Sequence, residues 1–356
     1  MSAQTESSDR RFAAWPRWAA GAVLIAAVAL AVLGLGHPYK PARTHWAMAN
    51  TDVGFYNRVI DRMHHGQPYE QAAIVEQRAS GYPVKPFIAI RPPLLAYILA
   101  ALPSERVADI LLAVLAALVV GAWAFRLKDV LPSPIWLAGV PLLVFTGVEA
   151  SMTLQGMSRL HETWAGLLIA LSLAVRTDRR FGLAVVLGLL AALIRELAMP
   201  YLLAMAVAAL LEKRRAEAAA FAAALAVAIA ALIWHGLAAS LLLTANDPRS
   251  PGWLTTSGWP FVVATARWNF IALRAGPWVA AILLPLALLG AAGLKNGLGL
   301  RLLAVIAGYA AGFFFIGRTD NYYWGLITAP ILAVSLCFSA RAIGDLLGRI
   351  AAPTGS

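Results

Sequence analysis

Long apolar runs alternate with polar breaks along almost the whole chain. Most of the runs approach the length of about 20 residues that an α-helix needs to cross a hydrocarbon layer of about 30 Å. Polar residues inside the runs are few, so the runs predict helices in lipid rather than the half-polar helices of a water-soluble domain. We expect an all-α membrane protein, a polytopic bundle of about ten transmembrane helices, at residues 17–36, 105–126, 132–150, 162–176, 181–195, 199–212, 217–242, 277–294, 302–317 and 325–343.

The breaks between the runs are of two kinds. Every second break, with the amino terminus taken as cytoplasmic, is short and basic. Cytoplasmic loops of membrane proteins carry such an excess of Lys and Arg. The sequence therefore predicts a multi-pass protein of a plasma membrane or bacterial inner membrane, with both termini cytoplasmic. The basic residues concerned are Arg126, Lys128, Arg176, Arg179, Arg180, Lys213, Arg214, Arg215, Lys295, Arg301, Arg341 and Arg349.

The remaining breaks would face away from the cytoplasm. They hold tryptophans, tyrosines, prolines and charges of both signs, and the two longest cover residues 37–104 and about 243–276. Long irregular segments in compact proteins are usually functional or disordered, and the aromatic content argues against disorder. We therefore expect one transmembrane domain over residues 1–356, with its chemistry on the extracytoplasmic side and residues 37–104 as the first extracytoplasmic loop.

Composition narrows the class further. The chain is 60% hydrophobic and only 13% charged, which excludes an ordinary soluble domain. Its net charge of +11 is scattered between the apolar runs, so it reflects topology and not binding of nucleic acid. Cys337 is the single cysteine, which excludes an intramolecular disulfide. The first apolar run is longer than the h-region of about 7 to 15 residues in a cleavable signal peptide, so we expect an uncleaved anchor.

The first predicted loop opens with an amphipathic stretch. Val53, Tyr56 and Ile60 recur at three- or four-residue spacing, which is the pattern of one helical face. Gly66 is well placed to end that helix. The stretch predicts a helix of about three turns lying along the membrane surface. A second apolar helix, from about residue 93 to 102, follows a proline-rich segment and is too short to span.

Asp52 stands at the head of the amphipathic helix, and two roles are open to it. A carboxylate at this position can cap the helix by accepting hydrogen bonds from the first-turn N–H groups. It can also act as a general base in a cleft between this helix and the membrane body. The two roles are compatible, since a capped carboxylate still offers its second oxygen.

Four stretches together resemble a known class of enzymes. They are "NTDVGFYNRV" with its acid shortly after the first span, "GYPVKPFIAIRPPLL" in the same loop, "QGMSRLHETWAG" before the fourth span and the hairpin "LLAALIRELAMPYLLAM". The chain resembles the GT-C class of integral membrane glycosyltransferases, in particular the compact bacterial branch related to protein O-mannosyltransferases and aminoarabinose transferases. Many members carry a second acid beside the first-loop one, whereas Thr51 and Gly54 stand at those offsets here.

The resemblance implies a function and a set of residues. It implies a hexosyl or pentosyl transferase that moves a sugar from a polyprenyl-phosphate carrier to a glycan, lipid or protein acceptor of the cell envelope, at the extracytoplasmic membrane face. Such a reaction needs a base for the acceptor hydroxyl and cationic groups for the departing phosphate. We expect Asp52 and Glu162 to be catalytic, Asp52 as the base, and the substrate to be bound by Tyr56, Arg91, His161, Arg195, Glu196, Arg318, Asp320 and Tyr323.

Several of these residues have a second interpretation. Glu162 can orient the acceptor, can join His161 on a divalent cation, or can simply favour the helix dipole at its amino end. Arg195 and Glu196 can mark the turn of a tight helical hairpin. Arg318 can contact the carrier phosphate or can form an internal ion pair with Asp320 in an interfacial aromatic belt.

A different function class is a transporter or flippase for a lipid-linked sugar. Transporters typically show repeated halves and charged or broken helices near the bilayer midplane. The sequence shows no convincing internal repeat, and most of its polar residues fall in the predicted extracytoplasmic breaks. These features favour the transferase.

Overall fold

The computed structural model describes residues 10–37, 52–128, 130–131 and 134–352, without the side chains of residues 134–137. This part of the chain is all-helical, as the apolar pattern predicts, and forms only isolated bridges in place of strands. Thr51 and the rest of residues 38–51, at the start of the predicted first loop, lie outside the described residues. The α-helices are α1 (Arg17–Gly36), α2 (Asp52–His64), α3 (Tyr69–Ala79), α4 (Leu94–Ala100), α5 (Glu105–Leu127), α6 (Pro134–Thr153), α7 (His161–Val175), α8 (Gly182–Ile194), α9 (Met199–Leu211), α10 (Arg215–Ser240), α11 (Gly258–Thr265), α12 (Phe270–Ala275), α13 (Pro277–Gly293), α14 (Gly297–Phe315), α15 (Ala329–Leu336) and α16 (Ser339–Ala351).

Within the described residues, four helices are long and apolar enough to cross a membrane, namely α1, α5, α10 and α14. A fifth is added if α15 and α16 count as one bent span. The other apolar helices are shorter, and α7, with 15 residues, is about 22 Å long. Several apolar helices are thus able to span a membrane, which fits a membrane protein. Ten helical segments lie where the ten crossings were expected, but ten crossings are not confirmed, because among the described residues only four or five helices qualify by length and composition.

Apolar side chains cover the outside of the bundle. The most hydrophobic stretch of α1 has only 11% of its residues buried, and that of α5 has 28%. Trp234 on α10 and Leu241, which directly follows this helix, are 77% and 86% exposed. Apolar patches of this extent are unusual on soluble monomers and typical of helices that face lipid.

Two groups of connections meet at opposite ends of the bundle. One end, which we call the loop face, consists of residues 52–104, 154–160, 195–198, 243–276 and 316–328. Arg78 pairs with Asp247 across it at 2.7 Å, and the side chain of Arg159 donates to Asn57 at 2.5 Å. The other end, the basic face, consists of residues 10–16, 176–181, 212–214, 294–296 and the end of α16. There Arg349 donates to the carbonyl of Trp15 at 2.9 Å.

Three helices form the described part of the first predicted loop, one more than the sequence pattern indicated. The additional helix is α3, which follows Pro68 and packs Ala72, Ala73 and Ile74 inward. Its Glu76 is buried and accepts hydrogen bonds from two arginines of α2, so α2 and α3 form one ion-paired layer. The predicted amphipathic helix and the short apolar helix are both present, as α2 and α4.

The last apolar run is broken, whereas the pattern predicted one helix over residues 325–343. A 3-10 segment ends at Ile327, and α15 and α16 meet near Cys337 with a bend of 47°. Gly290 of α13 explains the close approach at this point, because a Cβ there would lie 2.1 Å from the carbonyl oxygen of Ser335. The apolar pattern of the sequence indicates that α15 and α16 are buried, but it does not indicate the bend between them.

A buried ionic cluster holds the basic face together. Glu217 accepts a pair of hydrogen bonds from Arg176, each 2.9 Å long, and one from Arg301 at 2.9 Å. Arg214 reaches the same carboxylate at 2.5 Å. Glu217 and Arg301 are each only 1% exposed. The cluster ties the connections that follow α7 and α9 to the beginnings of α10 and α14.

Candidate functional site

A cavity of about 320 Å³ opens on the loop face. Its walls come from α2, α3, residues 82–91 and the segment around residue 320. Of the ten site residues predicted from the sequence, six line this cavity: Asp52, Tyr56, Arg91, Arg318, Asp320 and Tyr323. These six come from three separate stretches of the chain, so the fold gathers a distributed set into one place.

Asp52 is the first residue of α2 and carries the carboxylate of the cavity wall. Its Oδ1 accepts a hydrogen bond from the hydroxyl of Tyr82 at 3.1 Å, and no backbone N–H of the described residues donates to it. Burial raises the pKa of Asp52 above its ordinary 3.8, while Arg91 and the Tyr82 hydroxyl act in the opposite direction and the Glu162 charge adds to the rise. A carboxylate with a raised pKa is a better proton acceptor near neutral pH.

Arg91 is held in place through its own stretch of backbone. The hydroxyl of Tyr69 donates to the Arg91 carbonyl at 2.7 Å, and Nε2 of Gln77 donates to the Ala89 carbonyl at 3.0 Å. A ring nitrogen of the buried His235 lies 3.2 Å from the carbonyl of Ile90. Three successive carbonyls are therefore fixed by side chains of α3 and α10, which leaves the Arg91 side chain little freedom of placement.

The guanidinium of Arg91 reaches the cavity, and several of its N–H donors are available there to bind a ligand. Its Nη2 donates to the Tyr323 hydroxyl at 3.2 Å, and its Nη1 lies 3.9 Å from a carboxylate oxygen of Glu196. Because a guanidinium has five N–H donors, most of those on Arg91 have no partner among the described residues. The Tyr323 hydroxyl accepts from Arg91, so its own proton is available to another acceptor.

The guanidinium of Arg318, by contrast, already has several hydrogen-bond partners. It donates to both carboxylate oxygens of Asp320, at 3.2 and 3.1 Å, and to Ser250 at 3.1 Å. Its guanidinium carbon also lies 5.8 Å from the centre of the Trp253 ring. The internal ion pair considered from the sequence is confirmed, and it forms the rim of the cavity.

The other four predicted residues form a buried polar cluster behind the cavity. Nε of Arg195 donates to Glu162 Oε1 at 2.6 Å, and its Nη1 bonds to Glu196. The ring of His161 packs against Tyr56 at 4.9 Å between centres. Arg195 is fully buried, and Glu162 and His161 are 1% and 2% exposed. The cluster contacts the cavity wall through Arg91, which lies 3.9 Å from Glu196, and through Tyr56.

Several atoms of this cluster have no hydrogen-bond partner among the described residues. They are both ring nitrogens of His161, Nη2 of Arg195 and Oε2 of Glu196, together with the neighbouring Nε1 of Trp324. Unpartnered buried polar atoms are uncommon in folded proteins and call for an explanation. Their concentration beside the cavity indicates that this region is built for polar chemistry and not for stability alone.

No known protein family, curated protein or solved structure matches this chain. The residues and their geometry are therefore what supports an assignment of function.

A metal site was an open possibility for His161 and Glu162. Among the described residues, no group of three or more His, Cys, Asp or Glu side chains is placed to hold a metal ion. The nearest partner of Glu162 is the Arg195 guanidinium, which takes the place that a cation would occupy.

Sequence reasoning missed three residues of the cavity wall that matter to its geometry. Tyr82 and Tyr69 hold Asp52 and Arg91 respectively, and Trp253 stacks on Arg318. The aromatic richness of the two long breaks was visible in the sequence, but the partner of each ring was not. The arrangement as a whole offers a proton acceptor and an anion-binding pair facing one cavity.

Proposed function

We propose that this protein is a GT-C-like glycosyltransferase. It moves a sugar from a polyprenyl-phosphate carrier to a cell-envelope acceptor at the extracytoplasmic face of the membrane. The observation that supports this most strongly is the meeting of Asp52, Arg91 and Tyr323 around one cavity, since acceptor activation and phosphate departure need these two kinds of group a short distance apart.

The proposed step needs no further reactant. The acceptor hydroxyl gives its proton to Asp52 as its oxygen bonds to the anomeric carbon of the sugar. The bond from that carbon to the phosphate oxygen breaks, and its electron pair stays on the phosphate. Arg91 then stabilises the added negative charge, helped by a hydrogen bond from Tyr323.

Arg91 is a better phosphate ligand than Arg318, which the sequence had favoured. The donors of Arg91 face the cavity, and its backbone is clamped in advance, which lowers the entropy lost on binding. Arg318 would have to give up Asp320 and Ser250 before it could donate to a phosphate. We assign Arg318 and Asp320 to the rim, where they shape the entrance.

The rest of the fold is compatible with this assignment. A cavity of about 320 Å³ can take the sugar phosphate head of the donor but not a long polyprenyl chain, which would lie along the exposed apolar surface in lipid. The ten helical segments join the loop face to the basic face, so ten crossings with a cytoplasmic basic face satisfy the positive-inside bias. The loop face would then be extracytoplasmic.

A transfer assay in proteoliposomes tests the proposal. The purified protein is incubated with a radiolabelled polyprenyl-phosphate sugar and a cell-envelope fraction, and label in the acceptor is counted. We expect transfer by the wild type, a loss of roughly 10²- to 10⁴-fold in Asp52→Asn, and a larger loss in Arg91→Lys than in Arg318→Lys.

Two results would overturn it. An Asp52→Asn protein that folds and transfers at the wild-type rate would exclude Asp52 as the base, because the amide of Asn cannot take the proton of the acceptor hydroxyl. Movement of unaltered lipid-linked sugar across the vesicle, with no transfer, would identify the protein as a transporter or flippase.

A further inference from the structure

Tyr82 owes its position to the way α3 ends. Gly81 has φ of +70°, a left-handed conformation, and the N–H of Tyr82 bonds back to the carbonyl of Gln77 at 2.9 Å. Together with the bond from Gly81 to the carbonyl of Arg78, this is the glycine-dependent Schellman turn of a helix C-terminus. The turn points residue 82 back across the layer, towards the head of α2.

The Tyr82 ring is fixed at that point. It packs edge-on against Phe55 of α2, with 5.4 Å between ring centres and 79° between planes. Phe55 itself is buried in the small core that α2 and α3 share. The hydroxyl therefore has a defined place on the cavity wall, from which it donates to Asp52 Oδ1 at 3.1 Å.

We propose that Tyr82 is a positioning residue for Asp52. It holds Oδ1 of the carboxylate so that Oδ2 is the oxygen presented to the acceptor hydroxyl, and it stabilises the charged form that accepts the proton. This inference rests on the proposed role of Asp52 as the base. Neither the amphipathic pattern of α2 nor the position of Asp52 after the first span indicates such a partner.

The chemistry of the pair suits this role. Burial, and next the charge of Asp52, raise the pKa of Tyr82 above its usual 10, so the hydroxyl stays protonated and remains a donor. Its hydrogen bond opposes the rise in the pKa of Asp52 that burial causes. Tyr82 thus favours the ionised form of a buried carboxylate and also fixes its orientation.

Tyr82→Phe is the direct test, since it removes the hydroxyl and keeps the ring against Phe55. The pH dependence of kcat/KM for sugar transfer is measured beside that of Tyr97→Phe. Tyr97 is a half-exposed tyrosine of the same face that does not line the cavity, so it is the matched control. We expect the acidic limb of Tyr82→Phe to move to higher pH, with a rate on that limb roughly tenfold lower and an unchanged KM for the donor. The control should keep the wild-type profile.

The outcomes separate this inference from the proposed function. An active Tyr82→Phe protein with the wild-type limb and rate would overturn the positioning role, while loss of transfer in Asp52→Asn would leave the enzyme assignment standing. Full transfer by Asp52→Asn would overturn both. If Tyr82→Phe lost activity at every pH by the same factor and also melted at a lower temperature, the hydroxyl would be structural and the positioning role wrong.

Discussion

Replacement of Arg195 by methionine tests the energetic importance of the buried cluster behind the cavity. Arg195 is fully buried and joins two carboxylates, with 2.6 Å from its Nε to Glu162. Its removal leaves Glu162 without a cation in contact and leaves Glu196 only Arg91, at 3.9 Å. Methionine fills most of the volume, so the change is mainly one of charge.

The expected destabilisation can be estimated from these contacts. Removal of one partner of a buried ion pair costs about 3 to 5 kcal/mol, because a charge is left uncompensated. Nη2 of Arg195 has no partner among the described residues, so part of that cost is already present in the wild type and the lower end applies. A loss of about 3 kcal/mol corresponds to a fall in Tm of roughly 6 to 12 °C, at about 2 to 4 °C per kcal/mol.

Thermal unfolding in detergent, followed by tryptophan fluorescence, measures this fall. Arg179→Met, at an exposed position of the basic face, is the control and should melt with the wild type. The triple variant that adds Glu162→Gln and Glu196→Gln to Arg195→Met should recover more than half of the loss, since neither buried carboxylate then carries an uncompensated charge. An Arg195→Met protein that melts within about 2 °C of the wild type would refute the reasoning.

Three further predictions follow from the structure. Glu217→Gln should lower Tm, because Arg176 and Arg301 lose the buried carboxylate that they share and keep only less buried partners, yet it should leave transfer at lower temperatures unchanged; a loss of turnover without a fall in Tm would contradict this. Gly81→Ala should shift the acidic limb of the pH profile as Tyr82→Phe does, because the left-handed φ of residue 81 strains alanine by about 1 kcal/mol. The added Cβ meets no atom within 4 Å, so this strain comes from φ alone. A wild-type pH profile would show that the turn does not place Tyr82. In the wild type, the transfer rate should fall as the pH drops through the pKa of Asp52, which lies above 3.8, because protonated Asp52 cannot accept a proton. A transfer rate that stays unchanged down to about pH 4 would exclude Asp52 as the base.

The sequence predicted the helical bundle well, for a definite reason. A long apolar run without charges has few alternatives to a buried or lipid-facing helix, so each run except the last gave one helix near the expected place. Helix α3 escaped prediction because its polar composition resembles a loop and its apolar residues are mostly alanines. The bend near Cys337 depends on a close approach to Gly290, which local sequence does not record.

The sequence identified residues of the candidate site but did not indicate which of them line the cavity and which lie buried behind it. The resemblance, together with the places of these residues in the predicted breaks, selected Asp52, Arg91 and Tyr323, which all line one cavity. The same reasoning grouped Glu162 and Arg195 with them, although they lie behind the cavity wall. The depth of a side chain relative to the cavity depends on how far its helix end reaches into the bundle. That position is set by contacts between segments distant in sequence. The partnership of Asp52 with Tyr82, 30 residues away, is of the same kind.

The ionic cluster of the basic face has a consequence for how the chain assembles. Arg176, Arg214 and Glu217 are synthesised close together, whereas Arg301 joins the same carboxylate from 84 residues further along. A nascent chain that ends before α14 therefore holds an incomplete charge cluster, and the arrival of Arg301 couples the early helices to the late ones. A chain truncated before Arg301 would therefore keep an incomplete set of ion pairs at its basic face.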